Sequence, residues 1–582
     1  MLLYRSAAFG LALMLSAASA HALELRQSWD GLEDGVAVTA PFLPAGTNAI
    51  VLPPDEDRDT AIAQPLPEAP ESSPPAAQAQ VPALPADQAS LVREALTRLL
   101  QAPEPGQRSP VALTQNLREA LQTFYAARDF TPAFATETGF GETARRVLAR
   151  FAEARRDGLD PGDYTRAGLL VTGSTAEAIA QRELAFADVL LAYARHASGG
   201  RVDPSRVDAR HVTVRPPFLA PSAVLQDMAS TTDADGLLSS FHPQHAGFQA
   251  LRNHLAAALD AQTTRPPALS QRFPQGPALR SGMADPRVAM LRQRLSVAAR
   301  DGGDVMDAAL VSAVRAFQSS RGLDVTGIVG PQTVRALNAD ISPPVDRRIA
   351  DLTANMERWR WLPRELGNHH VWVNIPEYLV RVRSSGATTY EGRVVVGKLD
   401  TPTPVFSDEM QYLVVNPSWT VPPTLVRTQM IPLLQSDPAA LARRGIEVVR
   451  NRNGGVSFRQ PPGERNALGR VKFMFPNNHA VYLHDTPARA YFGHTRRAYS
   501  AGCVRVEHPG RFADAAFSNE ENINGRRIEG LYGPSERTLR LRTRFPVHLV
   551  YFTNFVQADG TMGSAEDIYG FHSRLKELLD LI

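Results

Sequence analysis

Cysteine is almost absent: Cys503 is the only one in 582 residues. No intramolecular disulfide can form, and a cysteine-built zinc site is excluded with it. Charge of one sign is also missing. Lys and Arg number 62 against 60 Asp and Glu, so charge alone argues for neither nucleic acid nor a membrane surface as partner. Long hydrophobic runs are lacking too. A bilayer span needs about 20 apolar residues, and the longest stretch, Ala7 to Ala18, falls short of that.

That stretch has another use. It follows Arg5 and precedes the small residues Ala18-Ser19-Ala20 and Ala20-His21-Ala22, the pattern of a secretory signal peptide cleaved after Ala20 or Ala22. Residues 1–22 are therefore expected to direct export and be removed, leaving no membrane span. Residues 23–90 hold a short N-terminal segment and a Pro/Ala-rich stretch, Pro65-Leu66-Pro67-Glu68-Ala69-Pro70 among it. Such a composition buries too little apolar surface to offset the entropy of ordering, which predicts a disordered linker.

From 91 to 270 the apolar residues recur at helix spacing, as in Leu91-Val92, Ala95-Leu96 and Leu99-Leu100, and a helical scaffold domain is expected. His211, His242, His245 and His254 fit no standard metal spacing and are expected as scattered surface histidines. Residues 285–338 predict a small three-helix unit: Val288, Leu291 and Leu295 on one face, Leu310, Val311, Val314 and Phe317 on a second, then a glycine-punctuated bridge and a helix from Thr333.

The period changes in the last part, 345–582. After a helical link from Val345 to Trp361, short β-branched runs follow at Val371–Ile375, Tyr378–Arg383, Arg393–Val396, Tyr412–Val415, Ala480–His484 and Val547–Phe552, which predicts a mainly-β domain. Residues 417–475 interrupt it with prolines and a helix near Leu425 to Leu434, as a capping insertion would. A C-terminal amphipathic helix should pack back through Ile568, Leu575, Leu578, Leu579 and Leu581. The fold class expected is multidomain α+β: helical scaffold, small helical domain, mainly-β domain with an inserted cap.

Cys503 lies in Ser500-Ala501-Gly502-Cys503-Val504-Arg505-Val506, downstream of His484 in Tyr482-Leu483-His484-Asp485. Cations or an imidazole nearby favour the thiolate, and Arg496, Arg497 and Arg505 flank the cysteine. The bland reading is a small buried hydrophobe; the chemical one is a nucleophile with His484 as general base. On a strand Tyr482 and His484 share a face, while Asp485 points away, so a backbone carbonyl is expected to orient the imidazole. Gly502 permits a tight turn at the Cys503 amide, the first oxyanion donor, and the Tyr482 hydroxyl is a candidate second. Arg505 could lower the thiol pKa or bind a substrate carboxylate, with a structural ion pair as its alternative. No metal and no cofactor are called for.

Two resemblances attach to these residues. Ala316-Phe317-Gln318-Ser319-Ser320-Arg321-Gly322-Leu323 with Gly327, Gly330 and Thr333 resembles the type 1 peptidoglycan-binding domain family, with a helical spacer that no longer binds as the alternative. His484 followed by Ser500, Gly502, Cys503, Val504 and Arg505 resembles the catalytic signature of YkuD-fold L,D-transpeptidases, and the order of domains is similar to their large Gram-negative YcbB-like branch. Ala501 stands where many relatives carry histidine, and that branch commonly has a small residue there. The resemblance implies a transpeptidase in which Cys503 attacks a tetrapeptide stem, releases terminal D-alanine and passes the acyl group to a diaminopimelate amine, forming a 3-3 crosslink. It also implies a periplasmic, cell-wall-associated protein open to carbapenems. Stem peptides, glycan strands and other cell-wall synthesis enzymes are the implied partners. Ser500, Arg497 and Trp419, the last in Asn416-Pro417-Ser418-Trp419, match family positions as substrate candidates. The same site with water or a lipoprotein amine as acceptor, and a non-catalytic wall-binding scaffold, remain alternatives.

Overall fold

The computed structural model describes residues 84–101, 114–264, 273–274, 276–298, 303–339, 345–437, 439–450 and 456–582. The signal peptide and the Pro/Ala-rich stretch lie outside the described residues. No helix among those residues is long and apolar enough to cross a membrane.

The chain divides into two compact units. Of the described residues, one unit holds Asn416–Gly469 with Gly533–Glu536, and the other holds the rest. The larger unit begins with helices centred on Ala176–Gly199, whose Ile179, Phe186, Val189, Leu190 and Tyr193 are fully buried. Thr175 caps this helix by accepting from the Ala178 amide, satisfying one of the four amides a helix start leaves open. Glu183 is fully buried on the same helix and accepts from the Tyr125 hydroxyl and the amides of Ala133, Phe134 and Ala135 at 2.6–2.9 Å.

The helix Ala246–Thr264 belongs to another core. Its Phe248, Leu251 and Leu255 pack with Ile349, Leu352, Met356 and Trp359 of the helix Val345–Arg360, with Trp372 and Val550 of the sheet, and with Phe552 just past its last strand. A division at residue 270 therefore cuts differently from the cores. His242 also departs from expectation: it is buried, its Nε2 2.9 Å from the Tyr193 hydroxyl. An apolar-flanked histidine carries no mark in sequence that separates core from surface.

The small helical part comprises Arg287–Arg294, Ala308–Ser320 and Pro331–Ala339, around Leu279, Val288, Leu291, Met306, Leu310 and Val314. Buried Gln318 binds its bridge together. Its amide group donates to the Ile328 carbonyl and the Thr333 hydroxyl and accepts from the Gly327 amide. Gly327 has φ +73°, and a Cβ there would meet Val311 Cγ1 at 2.9 Å, so both conformation and space require glycine.

The sheet is built from β1 (His369–Asn374), β2 (Leu379–Ser384), β3 (Ala387–Gly397) and β4 (Phe406–Val415). The smaller unit then contributes β5 (Trp419–Thr420), β6 (Glu447–Arg450) and β7 (Val456–Gln460), paired in the order β5-β7-β6 over Val421, Met430, Leu441, Ile446 and Phe458. The large sheet resumes with β8 (Val471–Met474), β9 (Leu483–His484), β10 (Ala498–Ser500), β11 (Val504–Val506) and β12 (Arg537–Val550). Among the described residues its order is β10-β3-β11-β9-β8-β4-β12-β1-β2, and a further β2–β3 pairing closes the run on itself. Inward residues Val371, Val373, Val380, Val382, Val394, Val396, Leu413, Phe473, Leu483 and Val504 fill the interior, as period-2 alternation dictates. The C-terminal helix Phe571–Leu578 adds Leu575, with Ile568 and Leu579 beside it. The multidomain α+β class expected from sequence is the one observed.

Candidate active site

The nucleophile candidate sits on a turn between β10 and β11. Gly502 has φ +112°, and a Cβ there would lie 3.6 Å from the Pro402 carbonyl, so conformation rather than space selects glycine. Ser500 closes the turn: its hydroxyl donates to the Cys503 carbonyl at 2.5 Å and accepts from the Gly502 amide at 3.2 Å. The Thr403 hydroxyl donates to the Gly502 carbonyl at 2.8 Å, and the Tyr569 hydroxyl donates to that of Gly397 at 2.5 Å, at the end of β3. The turn is therefore held from several sides, while the Cys503 amide itself has no acceptor among the described residues.

Cys503 is half-buried. Its Sγ lies 3.9 Å from the Ala480 carbonyl, the Tyr482 amide and hydroxyl favour its thiolate, and Arg505 and Lys472 act on it through charge. Burial nevertheless wins and pushes the thiol up from its ordinary value. The arginine-rich surroundings predicted the opposite sign. Tyr482 is pushed up as well, by burial and then by the sulfur beside it, so its hydroxyl keeps its proton and acts as a donor.

β9 is shorter than expected, because Ala480 turns at φ +53° before it. Parallel pairing sets Leu483 opposite Val504 and His484 opposite Arg505, and the Val504 amide donates to the Tyr482 carbonyl at 3.1 Å. Cys503 and His484 thus lie diagonally across this pair, with the Tyr482 ring 5.7 Å from the imidazole. His484 is buried, and its Nδ1 lies 2.5 Å from the backbone carbonyl of Asp485. A carbonyl only accepts, so Nδ1 carries the proton and Nε2 presents a lone pair. The Asp485 carboxylate faces elsewhere, accepting from the Arg470 amide and pairing with Arg489.

Among the other candidates, Arg497 is committed to the fold. Its guanidinium donates to the carbonyls of Val394, His494 and Tyr378 at 3.0–3.1 Å and lies over the Tyr378 ring. Its position next to the nucleophile turn therefore marks a backbone clamp, not a substrate contact. Arg489, which pairs with Asp485, also donates to the Glu507 carbonyl. Arg505 lies 5.9 Å from the Tyr491 ring, and its buried Nε has no acceptor among the described residues. Trp419 belongs to the smaller unit, where it pairs with Gln460 and packs beside the Val421 and Phe458 core.

Sequence reasoning missed Lys472. It is the β8 partner of His484, its Nζ lies 5.7 Å from the Tyr482 ring, and its charge lowers the thiol. Lys472, His484 and Arg505 thus form one row across three strands, with Tyr482 and Cys503 in the next. The available signal was a lone lysine in Val471-Lys472-Phe473, where both neighbours are buried. Among the described residues no His, Cys, Asp and Glu side chains gather as a metal-binding set.

Comparison with known proteins matches three segments of the chain. Residues 368–517 match the L,D-transpeptidase catalytic domain of the YkuD family, 284–337 a peptidoglycan binding domain and 119–255 a scaffold domain. A Haemophilus influenzae protein named as an L,D-transpeptidase is 30% identical over 261 residues, 42% of this chain and 53% of that protein. The chain thus spans about half the length of this curated relative. Among solved structures, an L,D-transpeptidase of Xylanimonas cellulosilytica aligns at 17% identity over 49% of this chain and 100% of its own, with a TM-score of 0.15. An L,D-transpeptidase from Mycobacterium smegmatis aligns at 17% identity over 31% and 58%, with a TM-score of 0.17. Superpositions this loose carry no weight in the assignment.

Proposed function

We propose that the chain forms 3-3 crosslinks between diaminopimelate residues through a Cys503 thioester; the match of residues 368–517 to an L,D-transpeptidase catalytic domain and of 284–337 to a peptidoglycan-binding domain supports this reading. The observation that supports this is strand register that sets Cys503 diagonally across from His484, an imidazole whose Nδ1 is tied to a carbonyl. That arrangement leaves Nε2 as the proton acceptor.

In the first step sulfur bonds to the carbonyl carbon of the third stem residue and its proton passes to His484. The oxyanion is met by the Cys503 amide and the Tyr482 hydroxyl. The C–N bond breaks, and D-alanine leaves with the proton from His484. In the second step the diaminopimelate amine attacks the thioester, gives a proton to His484, and the C–S bond breaks; the proton returns to sulfur. Arg505 and Lys472 supply positive charge where the stem carries carboxylates. Action on peptidoglycan implies work outside the cytoplasmic membrane, in keeping with the signal-like residues 1–22.

The test is mass spectrometry of the purified protein with disaccharide-tetrapeptide, beside Cys503→Ala. Crosslinked dimers made only by the unaltered protein are expected. Tripeptide without dimer would instead mark water as acceptor, and no product at all would leave a wall-binding scaffold. A carbapenem should add one mass increment, on Cys503 and nowhere else.

A further inference from the structure

Beside the nucleophile turn lies an aromatic surface that the proposed chemistry does not use. Tyr499 is 41% exposed and yet fixed. Its ring stacks on Tyr491 at 4.7 Å and 22°, and its hydroxyl meets His494 Nδ1 at 2.8 Å. Tyr499 and Leu399, itself well exposed, line a 340 Å³ recess together with Lys398, Asp400, Arg496 and Ala498. β10, which carries Tyr499, is the free edge of the sheet.

An exposed ring held rigid loses little entropy when a ligand stacks on it. A flat apolar face rimmed by an ammonium, a carboxylate and a guanidinium suits a pyranose ring, whose C–H face is apolar and whose edge carries hydroxyl and amide groups. We propose that Tyr499, backed by Tyr491, is a saccharide platform that holds the N-acetylhexosamine from which the reacting stem peptide hangs. This rests on the transpeptidase reading for its link to turnover, but not for sugar binding itself.

Reach agrees with it. Tyr499 lies four positions before Cys503, at most about 14 Å of chain. The three stem residues between the sugar and the attacked carbonyl span about 10 Å when extended. Contact is continuous as well: Arg505, whose charge acts on the Cys503 sulfur, lies over Tyr491, which stacks on Tyr499.

The test uses the full chain and two readouts. Calorimetry with chitotetraose should show binding that Tyr499→Ala weakens about five- to tenfold and Tyr499→Phe largely keeps. No binding by the unaltered chain, or equal binding by Tyr499→Ala, would overturn the platform. In turnover, Tyr499→Ala should lose kcat/KM on disaccharide-tetrapeptide while matching the unaltered protein on sugar-free tetrapeptide; equal loss on both would overturn it as well. Sugar binding that depends on Tyr499, with no turnover of either substrate by the unaltered chain, would uphold the platform and sink the transpeptidase reading.

Discussion

Asp157 in the helical part and Cys503 in the sheet are both acids withdrawn from water, with very different surroundings. Asp157 is fully buried, with Arg150 and Arg252 each at 2.7 Å, the Tyr193 hydroxyl at 3.4 Å and His242 Nε2 at 3.8 Å. Burial opposes its charge, but His242 when protonated and Arg150, Arg252 and Arg360 outweigh that, and the carboxyl sits below its usual range. Cys503 has the Tyr482 donors and two cations acting at a distance, and burial prevails. A structural acid is given enough partners to stay ionised. Cys503 is left short of them, so its proton is available to move.

The largest contrast comes from removing each acid. Asp157→Ala strands the Arg150 and Arg252 guanidiniums and should cost about 3–5 kcal/mol of stability, as broken buried ion pairs do, measured by denaturant unfolding. Cys503→Ala should abolish acyl-enzyme formation with a melting temperature close to that of the unaltered protein. A stable Asp157→Ala, or a Cys503→Ala that unfolds, would erase the distinction.

A smaller effect should follow from taking one donor from the sulfur. Tyr482→Phe should raise the thiol further and slow iodoacetamide alkylation at pH 7 by about tenfold, one pKa unit's worth. The unaltered thiol should itself titrate above the ~8.5 of free cysteine; a lower midpoint would contradict the dominance of burial.

On the helical side, burial pushes His242 down to about 3. Its folded pKa lies below the ordinary imidazole value near 6.5, so the unfolded chain takes up the proton first. Stability is therefore full above about pH 6.5 and declines as pH falls towards about 3. His242→Gln should flatten that part of a stability–pH curve. Smallest of all, Lys472→Met should slow thiol alkylation at pH 7 by roughly two- to threefold, because a cation over the Tyr482 ring acts on the sulfur only from a distance.

The local patterns were legible. The β-branched run Val371–Ile375 falls on β1 but for its last residue, helix spacing at Phe186, Val189-Leu190 and Tyr193 falls on Ala176–Gly199, and the Tyr482 and His484 rings lie 5.7 Å apart, as spacing two on one face predicts. Long-range register was not. Lys472 meets His484 through an antiparallel pairing that no local signal announces. Arg150 and Arg252 meet at Asp157 from helices far apart in sequence. Arg497 is a substrate candidate in sequence because it matches a family position; in the structure three carbonyls take its guanidinium. The sign of the Cys503 shift was beyond reach for the same reason, since neighbouring charges can be counted in a sequence and burial cannot.

The raised Cys503 thiol also bears on the chemical endurance of the molecule. Peroxides attack the thiolate, and a group kept protonated between encounters with substrate offers them little. Once oxidised to a sulfenic acid, however, it would find no second cysteine in the chain to resolve it. The protein resists damage at its one thiol by idling in the unreactive form, and any repair must come from another molecule.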